Sequence, residues 1–430
     1  MDVLLDESEI YCDYYNKNKE KISQLLEYYI EKGLKIALWG AGRKGTALLR
    51  IVDPLCEKIS CVFDKNHERI GEKLGTGHTI EDYNQYASDV VLVANSLFEL
   101  EIIHKLNEAS NSAKVINIDN MILGNLSVDD VVFPKAYDKR GIRKNKICAV
   151  VVLYNPDEKV TGNIYSYAQE LDRLYIYDNS DQKDKSYIEN LEKIPNAEYL
   201  GQENNNGLAK AFNEAANMAR VAGYTWMVTF DQDSFAENGM INAMREFCNS
   251  KNCDDKIAVI APVINDIDKS KITQERYCTY FDKVIQSGAM HNLEIMEKVG
   301  GYDEKLFIDL VDYEYCTRCI VNGYKIVKLS NALLMHNQQD DKVKKIFVEG
   351  TEVFINKFSS DRYYYRLRNA KYCFDRYKES YPLYALDCQN TIMKLVPLQI
   401  KYDKNLEENE KAARQAVSDY EKGKYGKRER

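Results

Sequence analysis

The chain has 430 residues and a formal net charge of −8, and 45% of its residues are hydrophobic. Its length exceeds that of one ordinary domain, and its apolar content is enough for two packed cores and a smaller appendage. The acidic balance argues against general nucleic-acid binding, which depends on clustered Lys and Arg that neutralise phosphates. We therefore expect a small-molecule partner and no nucleic acid.

Cysteine usage and hydropathy predict the compartment. The 11 cysteines are an odd number scattered along the chain, and the N-terminus lacks both a basic region and an apolar signal core. We expect free thiols in a reducing cytoplasm. No segment approaches the ~20 apolar residues that span a bilayer, so any membrane contact is expected to be peripheral, at the inner face of the membrane.

Periodicity divides the chain into five segments. Residues 1–33 carry apolar side chains at helical spacing and predict one amphipathic helix. Strand and helix patterns alternate over residues 34–124, which predicts a Rossmann-like domain with a parallel sheet. Residues 125–144 lose this periodicity and suit a linker. A second α/β series covers residues 145–340, and the remaining segment, 341–430, is predicted to be helical.

The predicted C-terminal helices have an unusual composition. Between residues 362 and 400 they mix Tyr, Arg and Lys with short apolar runs. That mixture suits helices that lie at a membrane interface or against a second subunit of a homo-oligomer. It suits equally well helices that pack on the preceding domain, so both interpretations stay open.

A G-x-G-x-x-G motif in the first domain comprises Gly40, Gly42 and Gly45, directly after a predicted strand. Asp64 ends the next strand, where an acidic side chain can reach a ribose hydroxyl of a dinucleotide. The region is little more than half of a full dinucleotide fold, and no Tyr/Lys or Cys/His arrangement for hydride transfer accompanies it. The glycines either bind a ligand or merely allow close packing of helix on strand.

Polar residues end the first two strands of the second series, at the edge where open α/β sheets bind ligands. Tyr154, Asn155 and Pro156 end the opening strand. Asp178 and Asn179 end the next strand and are able to hydrogen-bond the edge of a pyrimidine. A nucleotide site is the interpretation that these positions favour.

A loop-to-helix junction follows and contains Asn206, Gly207 and Lys210. Backbone donors at a helix N-terminus, together with a cation, suit a diphosphate. Taken alone, each of these segments is a weak indication.

Asp231 and Asp233 stand one residue apart after the apolar run TWMVTF. Two carboxylates at a strand end form a hard oxygen site suited to Mg²⁺ or Mn²⁺ carrying a diphosphate. The alternative is a solvated turn whose Asp and Ser cap the following helix. The order of the segments, with Asp178 and Asn206 between Asn155 and Asp231, favours the metal site.

With these motifs in this order, the chain resembles the family 2 glycosyltransferases of the GT-A fold, and among them the bacterial rhamnosyltransferase branch. The resemblance covers roughly residues 146–340 and rests on VVVLYNP, DNSD, NNGLAKAFN, FDQDS, SGAM, GGYDEKLFIDLVDYEYCTR and MHN. It implies a nucleotide-sugar-binding GT-A domain and an inverting, metal-dependent transfer from a dTDP- or UDP-sugar, with dTDP-rhamnose suggested by the branch. The implied acceptor is a hydroxyl of a surface polysaccharide or of its lipid-linked precursor.

The resemblance also implies roles for single residues. Asp233 matches the direct metal ligand, Asp231 a residue that contacts ribose or a metal-bound water, and His336 a residue that completes the metal shell. A lone histidine at a strand end is more often structural, so both interpretations of His336 stay open. Asp178 matches the residue that recognises the nucleotide base.

Ser287 and Gly288 match the loop that faces the donor sugar and the acceptor. The segment RYYYRLRN, residues 362–369, matches the start of the helical C-terminal segment of this branch.

Asp312 matches the carboxylate that serves as general base. Most of the wider family has Glu directly before this Asp, whereas this chain has Val311 and an additional Asp309. The base is therefore Asp312 or Asp309. In the purely structural alternative, Glu314 and Arg318 form an i,i+4 ion pair and the two aspartates only cap the helix.

Two functions of other classes remain as alternatives. The first is a nucleotide-sugar oxidoreductase or epimerase that uses the N-terminal glycine motif, and the absence of a downstream hydride-transfer pattern disfavours it. The second is a non-catalytic scaffold whose domains only bind ligands and whose aromatic C-terminus docks a partner or a membrane.

Overall fold

The protein is described by a computed structural model, in which the placed residues are 4–94, 99–134, 145–183, 185–264, 278–336, 343–348, 351–356 and 358–429. The chain divides into two compact units, residues 1–135 and 136–430. The α/β class, with a five-stranded sheet, a nine-stranded sheet, a two-stranded hairpin and a group of C-terminal helices, confirms the predicted fold class.

The first unit contains, within the placed residues, a five-stranded parallel sheet. Its strands are β1 (Ile36–Trp39), β2 (Cys61–Phe63), β3 (Ile80–Glu81), β4 (Val90–Val93) and β5 (Lys114–Asn117). Its helices are α1 (Glu7–Asn16), α2 (Lys19–Glu31), α3 (Arg43–Val52), α4 (Glu99–Glu108), α5 (Ile118–Leu123) and α6 (Val128–Val132), with a short 3₁₀ turn at His67–Arg69. The strand order β3-β2-β1-β4-β5 places the first strand in the middle, as in Rossmann-like sheets.

Two predictions for this unit need correction. Residues 1–33 form two helices rather than one, because the chain turns at Lys17 and Asn18 between α1 and α2. The predicted linker, 125–144, contains α6, which a Ser127–Asp130 capping box opens and whose Val132 joins the core. Residues 135–144 of that linker lie outside the placed residues.

Packing accounts for the third glycine of the G-x-G-x-x-G motif. A Cβ atom at Gly45 would lie 1.9 Å from the carbonyl oxygen of Gly40, so only glycine allows α3 to pack this closely on the end of β1. The carboxylate of Asp64 accepts a hydrogen bond from the backbone N–H of Ala41 over 2.8 Å. These contacts support the packing interpretation of the motif.

The second unit is built, where placed, on a nine-stranded mixed sheet with the order β10-β14-β11-β13-β9-β6-β7-β8, and β12 also pairs with β14. These strands are β6 (Ile147–Leu153), β7 (Arg173–Asp178), β8 (Ala197–Gly201), β9 (Trp226–Asp231), β10 (Ser234–Ala236), β11 (Ile257–Ile264), β12 (Cys278–Phe281), β13 (Met290–Asn292) and β14 (Lys325–His336). The helices between them are α7 (Val160–Ala168), α8 (Lys185–Leu191), α9 (Leu208–Val221), α10 (Met240–Cys248), α11 (Leu293–Val299) and α12 (Val311–Val321), with a 3₁₀ turn at Glu304–Leu306. Strands β6, β7, β8 and β9 are parallel, so their carboxyl ends meet at one edge.

The segment after residue 341, predicted to be helical throughout, begins with an antiparallel hairpin of β15 (Val343–Val348) and β16 (Thr351–Asn356). The β-branched and aromatic residues of VKKIFV and TEVFIN explain this difference. The helices that follow are α13 (Ser360–Tyr377), α14 (Pro382–Asn390), a π-helical turn at Thr391–Leu395, α15 (Val396–Lys401) and α16 (Leu406–Glu421).

The C-terminal helices pack within the second unit, against the loop that contains Phe307. Tyr363, Tyr364 and Tyr365 of α13 are buried in one cluster with Phe307 and with apolar residues of α15 and α16. Of the two interpretations of the sequence, this arrangement agrees with helices that pack on the preceding domain. No helix in the described part of the chain is both long enough and apolar enough to cross a bilayer.

Candidate active site

A cavity of about 920 Å³ lies at the carboxyl edge of β6 and β9 and extends to α13 and to the C-terminal residues. The carboxylates in its wall are Asp181, Asp231, Asp233, Asp309, Asp312 and Asp361. The cations in its wall are Arg362, Lys427 and Arg428. A cavity with this many charged groups suits a polar, charged ligand.

Tyr154 and Gln232 join the ends of β6 and β9. The backbone N–H of Tyr154 donates to Gln232 Oε1 over 2.8 Å, and Gln232 Nε2 donates back to the Tyr154 carbonyl over 3.3 Å. The Tyr154 phenol donates to Asp181 Oδ2 over 2.7 Å. Tyr154 remains 45% exposed, so its ring is an accessible aromatic surface in the cavity wall.

The two residues after Tyr154 shape the turn and lie outside the cavity lining. Asn155 has a positive φ of 45°, and its backbone N–H donates to Ser180 Oγ over 2.8 Å. Pro156 follows in irregular backbone before α7. Of the predicted group at the end of β6, the structure brings only Tyr154 into the cavity.

Asp178, the predicted base-recognition residue, is fully buried. Its carboxylate accepts hydrogen bonds from the hydroxyls of Tyr187, over 2.9 Å, and Tyr199, over 2.6 Å, and from the backbone N–H of Ser180, over 2.8 Å. Asp178 therefore fixes the end of β7 and lies outside the lining. The structure brings Asn179 and Asp181 to the cavity instead.

The predicted junction at Asn206, Gly207 and Lys210 is only partly at the cavity. Gly207 lines it with a φ of +83°, and a Cβ atom there would lie 2.5 Å from Cδ2 of Phe307. The backbone N–H of Asn206 donates to Asn179 Oδ1 over 3.3 Å, next to the cavity. Lys210 lies outside the lining, with Nζ 3.8 Å from a carboxylate oxygen one turn further along α9.

Asp231 and Asp233 both line the cavity, as predicted from their position at a strand end. The side-chain amide of Gln286 donates to Asp231 Oδ1. The buried Ser287 lies behind this carboxylate, since its Oγ accepts from the Asp231 backbone N–H over 3.0 Å and is 2.6 Å from Ser234 Oγ. Ser287 is therefore outside the lining and holds the backbone that carries Asp231.

Gly288 also lies outside the lining. Its φ is +75°, and a Cβ atom there would lie 2.9 Å from Cγ of Pro262. The Asp-Gln-Asp-Ser segment does not cap the following helix, which was the alternative interpretation of this sequence. Strand β10 follows directly, and α10 begins later, after Gly239 as its N-cap.

The carboxylates of Asp231 and Asp233 fit a partial metal site. Among the described side chains, no three His, Cys, Asp or Glu groups converge to form a complete protein cage for an ion. The backbone of His336 pairs with Ser234 across β10 and β14, and the His336 side chain is outside the described part of the chain. Mg²⁺ needs no such cage, because it commonly takes one or two carboxylates together with substrate phosphates and water.

The loop before α12 has an unusual backbone. Phe307, Asp309 and Leu310 have φ values of +62°, +72° and +60°. Such conformations cost about 1–3 kcal/mol per residue and persist where neighbouring groups impose them. This loop leads directly to Asp312, in the first turn of α12.

Asn369 of α13 imposes part of that conformation. Its buried side-chain amide donates to the carbonyls of Leu306, over 3.0 Å, Ile308, over 2.9 Å, and Asp309, over 2.8 Å. The loop is therefore held by the last residue of the RYYYRLRN segment, which lies in the C-terminal helices beyond residues 146–340.

The neighbouring residue, Arg368, is equally buried and holds the same loop from its N-terminal side. Its Nη2 donates to the carbonyls of Lys305, over 2.9 Å, and Leu306, over 3.1 Å. Its Nη1 donates to the carbonyl of Gly426 over 2.7 Å, which also ties the C-terminus to the loop.

Asp312 and Asp309 lie in different electrostatic environments. Burial raises the pKa of Asp312 to about 7, and the negative charges of Asp309 and Asp231 add to this rise, against a hydrogen bond from the Tyr313 N–H that lowers it. Asp309 instead accepts a hydrogen bond from Arg362 Nε over 3.2 Å. A carboxyl whose pKa is near neutrality is suited to exchange a proton with a substrate.

The structural alternative for this helix holds only in part. Glu314 and Arg318 form the predicted ion pair over 2.7 Å, and Glu314 also accepts from the Tyr377 hydroxyl over 2.6 Å. The N-cap of α12 is Leu310, and no side chain in the described residues caps the helix there. Neither Asp309 nor Asp312 is therefore the N-cap, although Asp312 Oδ1 accepts from the backbone N–H of Tyr313 within the first turn over 2.9 Å.

Sequence reasoning missed several residues of the cavity. Gln232 and Asp181 stand inside motifs that the resemblance used, but side-chain direction decided their placement. Lys427 and Arg428 carried no signal, because their approach to the cavity depends on contacts with α13.

Comparisons with known proteins agree with the division into two units. A sequence model described as Glycosyl transferase family 2 matches residues 148–302. A second model, described as C-methyltransferase C-terminal domain, matches residues 2–116. The dTDP-rhamnosyl transferase RfbF of Shigella flexneri is 30% identical over 243 residues, which cover 53% of this chain and 79% of that relative.

Two solved structures are distantly similar. GalNAc-T7 with UDP, GalNAc and Mn²⁺ is 11% identical with a TM-score of 0.44, over 76% of this chain and 65% of that chain. S. aureus TarS 1-349 with UDP-GlcNAc is 14% identical with a TM-score of 0.40, over 64% of this chain and 80% of that chain. Since the rhamnosyl transferase relative is matched over most of its length and the family model matches the same region, this chain is a glycosyltransferase and belongs to family 2, in its rhamnosyltransferase-like branch.

Proposed function

We propose that the protein is an inverting, metal-dependent glycosyltransferase with a nucleoside diphosphate sugar as donor. A dTDP-sugar is the first candidate, because the RfbF relative is a dTDP-rhamnosyl transferase. The acceptor is a hydroxyl of a surface polysaccharide or of its lipid-linked precursor. The observation that carries this proposal is that one cavity contains Asp231, Asp233 and the carboxyl of Asp312, whose pKa burial raises to about 7.

Asp312 is the proposed general base. Its carboxylate takes the proton of the acceptor hydroxyl while the acceptor oxygen forms a bond to the anomeric carbon of the donor. The bond from that carbon to the diphosphate oxygen breaks on the opposite face, so the anomeric configuration inverts. The nucleoside diphosphate leaves with the bonding electrons, and the proton stays on Asp312. A raised pKa makes this carboxylate a stronger base than an exposed aspartate.

Asp231 and Asp233 are the proposed ligands of the Mg²⁺ or Mn²⁺ ion. When bound, the ion neutralises negative charge that develops on the departing diphosphate. Gln286 and Ser287 contribute by holding Asp231, one through its carboxylate and the other through its backbone N–H.

The nucleoside is proposed to lie against Tyr154, Asn179, Asp181 and Gly207, which line the cavity at the ends of β6 and β7 and at the start of α9. The exposed Tyr154 ring offers a stacking surface for the base. Asn179 and Asp181 offer polar groups for its edge, a role that the buried Asp178 is placed less well to fill.

A donor screen tests this function. The purified protein is incubated with dTDP-rhamnose, other dTDP-sugars and UDP-sugars, each with Mn²⁺ or with a chelator, and release of nucleoside diphosphate is measured. We expect metal-dependent release from at least one donor, and loss of that release in Asp233→Asn. No release from any donor in the presence of a saccharide acceptor would contradict the proposal.

A further inference from the structure

The C-terminal end of the chain forms part of the cavity wall. Lys427 and Arg428 follow α16 and line the same cavity as Asp231 and Asp312. These residues lie far beyond the 148–302 region that the family model matches. Their side chains therefore bring two positive charges to the cavity that contains the proposed base.

The backbone before Lys427 is fixed. The N–H of Gly426 donates to the carbonyl of Lys305 over 2.9 Å, and Gly426 in turn accepts from Arg368 over 2.7 Å. Chain termini usually fray unless such contacts hold them. Lys427 is therefore held against the loop that leads to the proposed base.

The residue after Lys427 is fixed as well. The backbone N–H of Arg428 donates to the Tyr365 hydroxyl over 2.8 Å. Its guanidinium donates to Asp361 and to Gln415, each over 2.7 Å, and lies 4.9 Å from the ring centroid of Tyr364. With Gly426 and Arg428 both anchored, the position of Lys427 at the cavity is a built feature of the fold.

The charges of the three cations in the wall are compensated unequally. Arg362 pairs with Asp309, and Arg428 pairs with Asp361. Lys427 is exposed, and no carboxylate in the described part of the chain lies within ion-pair distance of its ammonium group. A compact, uncompensated ammonium group at the wall of a substrate cavity suits the oxygen atoms of a phosphate.

We infer that Lys427 forms an anion subsite that binds a phosphate group of a substrate held in the cavity. The proposed function is needed only to name the source of that phosphate. It is either the diphosphate of the nucleotide donor or the phosphate of a lipid-linked acceptor. The guanidinium groups of Arg362 and Arg428 add positive potential while remaining paired with their own carboxylates.

Binding measurements on the full-length protein test this subsite without requiring transfer. Lys427→Ala and Lys427→Glu are titrated calorimetrically with dTDP and with farnesyl diphosphate, a soluble analogue of a lipid-linked phosphate, in buffer containing Mg²⁺. Lys422→Ala is the matched control, because Lys422 is an exposed lysine at the end of α16 and lies outside the cavity lining.

We expect Lys427→Ala to weaken at least one of the two probes by roughly five- to tenfold, and Lys427→Glu to weaken it further. The loss should shrink as salt is raised, because salt screens an exposed charge. A loss confined to dTDP identifies the donor diphosphate, and a loss confined to farnesyl diphosphate identifies the acceptor. The Lys422→Ala protein should bind both probes like the wild type.

Unchanged affinity of both Lys427 variants for both probes would overturn the subsite. Equal losses in Lys422→Ala would also overturn it, since they would reveal a general effect of surface charge. Failure of the donor screen to show any release of nucleoside diphosphate would contradict the proposed function, whereas the binding titrations test the Lys427 subsite independently of it.

Discussion

The side-chain amide of Asn369 donates to the carbonyl oxygen of Asp309 over 2.8 Å, across 60 residues of sequence. The same amide also holds the carbonyls of Leu306 and Ile308. A residue of the C-terminal helices therefore fixes the strained loop that leads to Asp312. The position of the proposed base depends on α13, although α13 supplies no proposed catalytic group.

The first prediction follows from this contact. Asn369→Ala should reduce kcat by roughly 10- to 100-fold with little change in donor KM, because displacement of a catalytic group affects the chemical step most. Steady-state kinetics of transfer give both parameters. Asn322→Ala is the control and should leave kcat unchanged. Asn322, unlike Asn369, is exposed, and its side-chain amide donates to the backbone carbonyl of Arg318 over 2.8 Å. A kcat for Asn369→Ala within twofold of wild type would contradict the positioning role.

The second prediction concerns the pH dependence of transfer. Asp312 must be ionised to accept a proton, and burial raises its pKa to about 7. The kcat/KM for transfer should therefore rise with pH through about 7 and level off above it. A profile measured from pH 5 to 9 at constant ionic strength tests this. A rate that is already constant from pH 5 upward would mean that the base has an ordinary aspartate pKa.

The third prediction concerns stability. The pKa of Asp312 is higher in the folded protein, about 7, than the ~3.9 of an unfolded aspartate. Its contribution to stability is therefore full below pH 4 and is lost as pH rises to 7. Asp312→Asn should be more stable than wild type by about 1–3 kcal/mol at pH 8, with the difference disappearing near pH 4. Denaturant unfolding at both pH values measures this, and an equal difference at the two values would refute it.

The fourth prediction concerns the turn before α9. Gly207 has a φ of +83°, and a Cβ atom there would lie 2.5 Å from the Phe307 ring. Gly207→Ala should lower the free energy of unfolding by roughly 2 kcal/mol or more and weaken nucleotide binding. Gly162→Ala is the control, because its Cβ atom would meet open space within α7, and it should stabilise the protein by about 0.5–1 kcal/mol. A neutral Gly207→Ala would show that the loop carrying Phe307 adjusts freely.

The sequence predicted the sheets well because buried parallel strands are continuous apolar runs. Runs such as KIALWG and DVVLVAN became β1 and β4, and TWMVTF became most of β9. Asp231 and Asp233 could also be placed at the cavity, because ligand sites form at strand ends in such sheets. Short strands such as β3 and β13 lacked a signal of their own.

Side-chain direction was the main source of error at the site. Asp178 and Asp181 are three residues apart. The hydroxyls of Tyr187 and Tyr199 hold the Asp178 carboxylate in the interior, whereas Asp181 lines the cavity. Lys210 lies on a face of α9 that is outside the cavity lining, and the helical spacing of the sequence does not show which face of α9 points to the cavity. Lys427 reaches the cavity because its neighbours in sequence are held by Arg368 and Tyr365, about 60 residues earlier, and no local sequence pattern predicts these contacts.

Asp312→Asn gives the most direct test of the account, because the amide keeps the shape of the side chain and removes the proton acceptor. Transfer is measured beside calorimetric titration of the nucleoside diphosphate with Mn²⁺, with Asp309→Asn as the matched variant. We predict that Asp312→Asn binds the nucleotide nearly as wild type while transfer falls by roughly 10²-fold or more. Near-normal transfer by Asp312→Asn would contradict the account, and loss of transfer in Asp309→Asn alone would move the base by three residues.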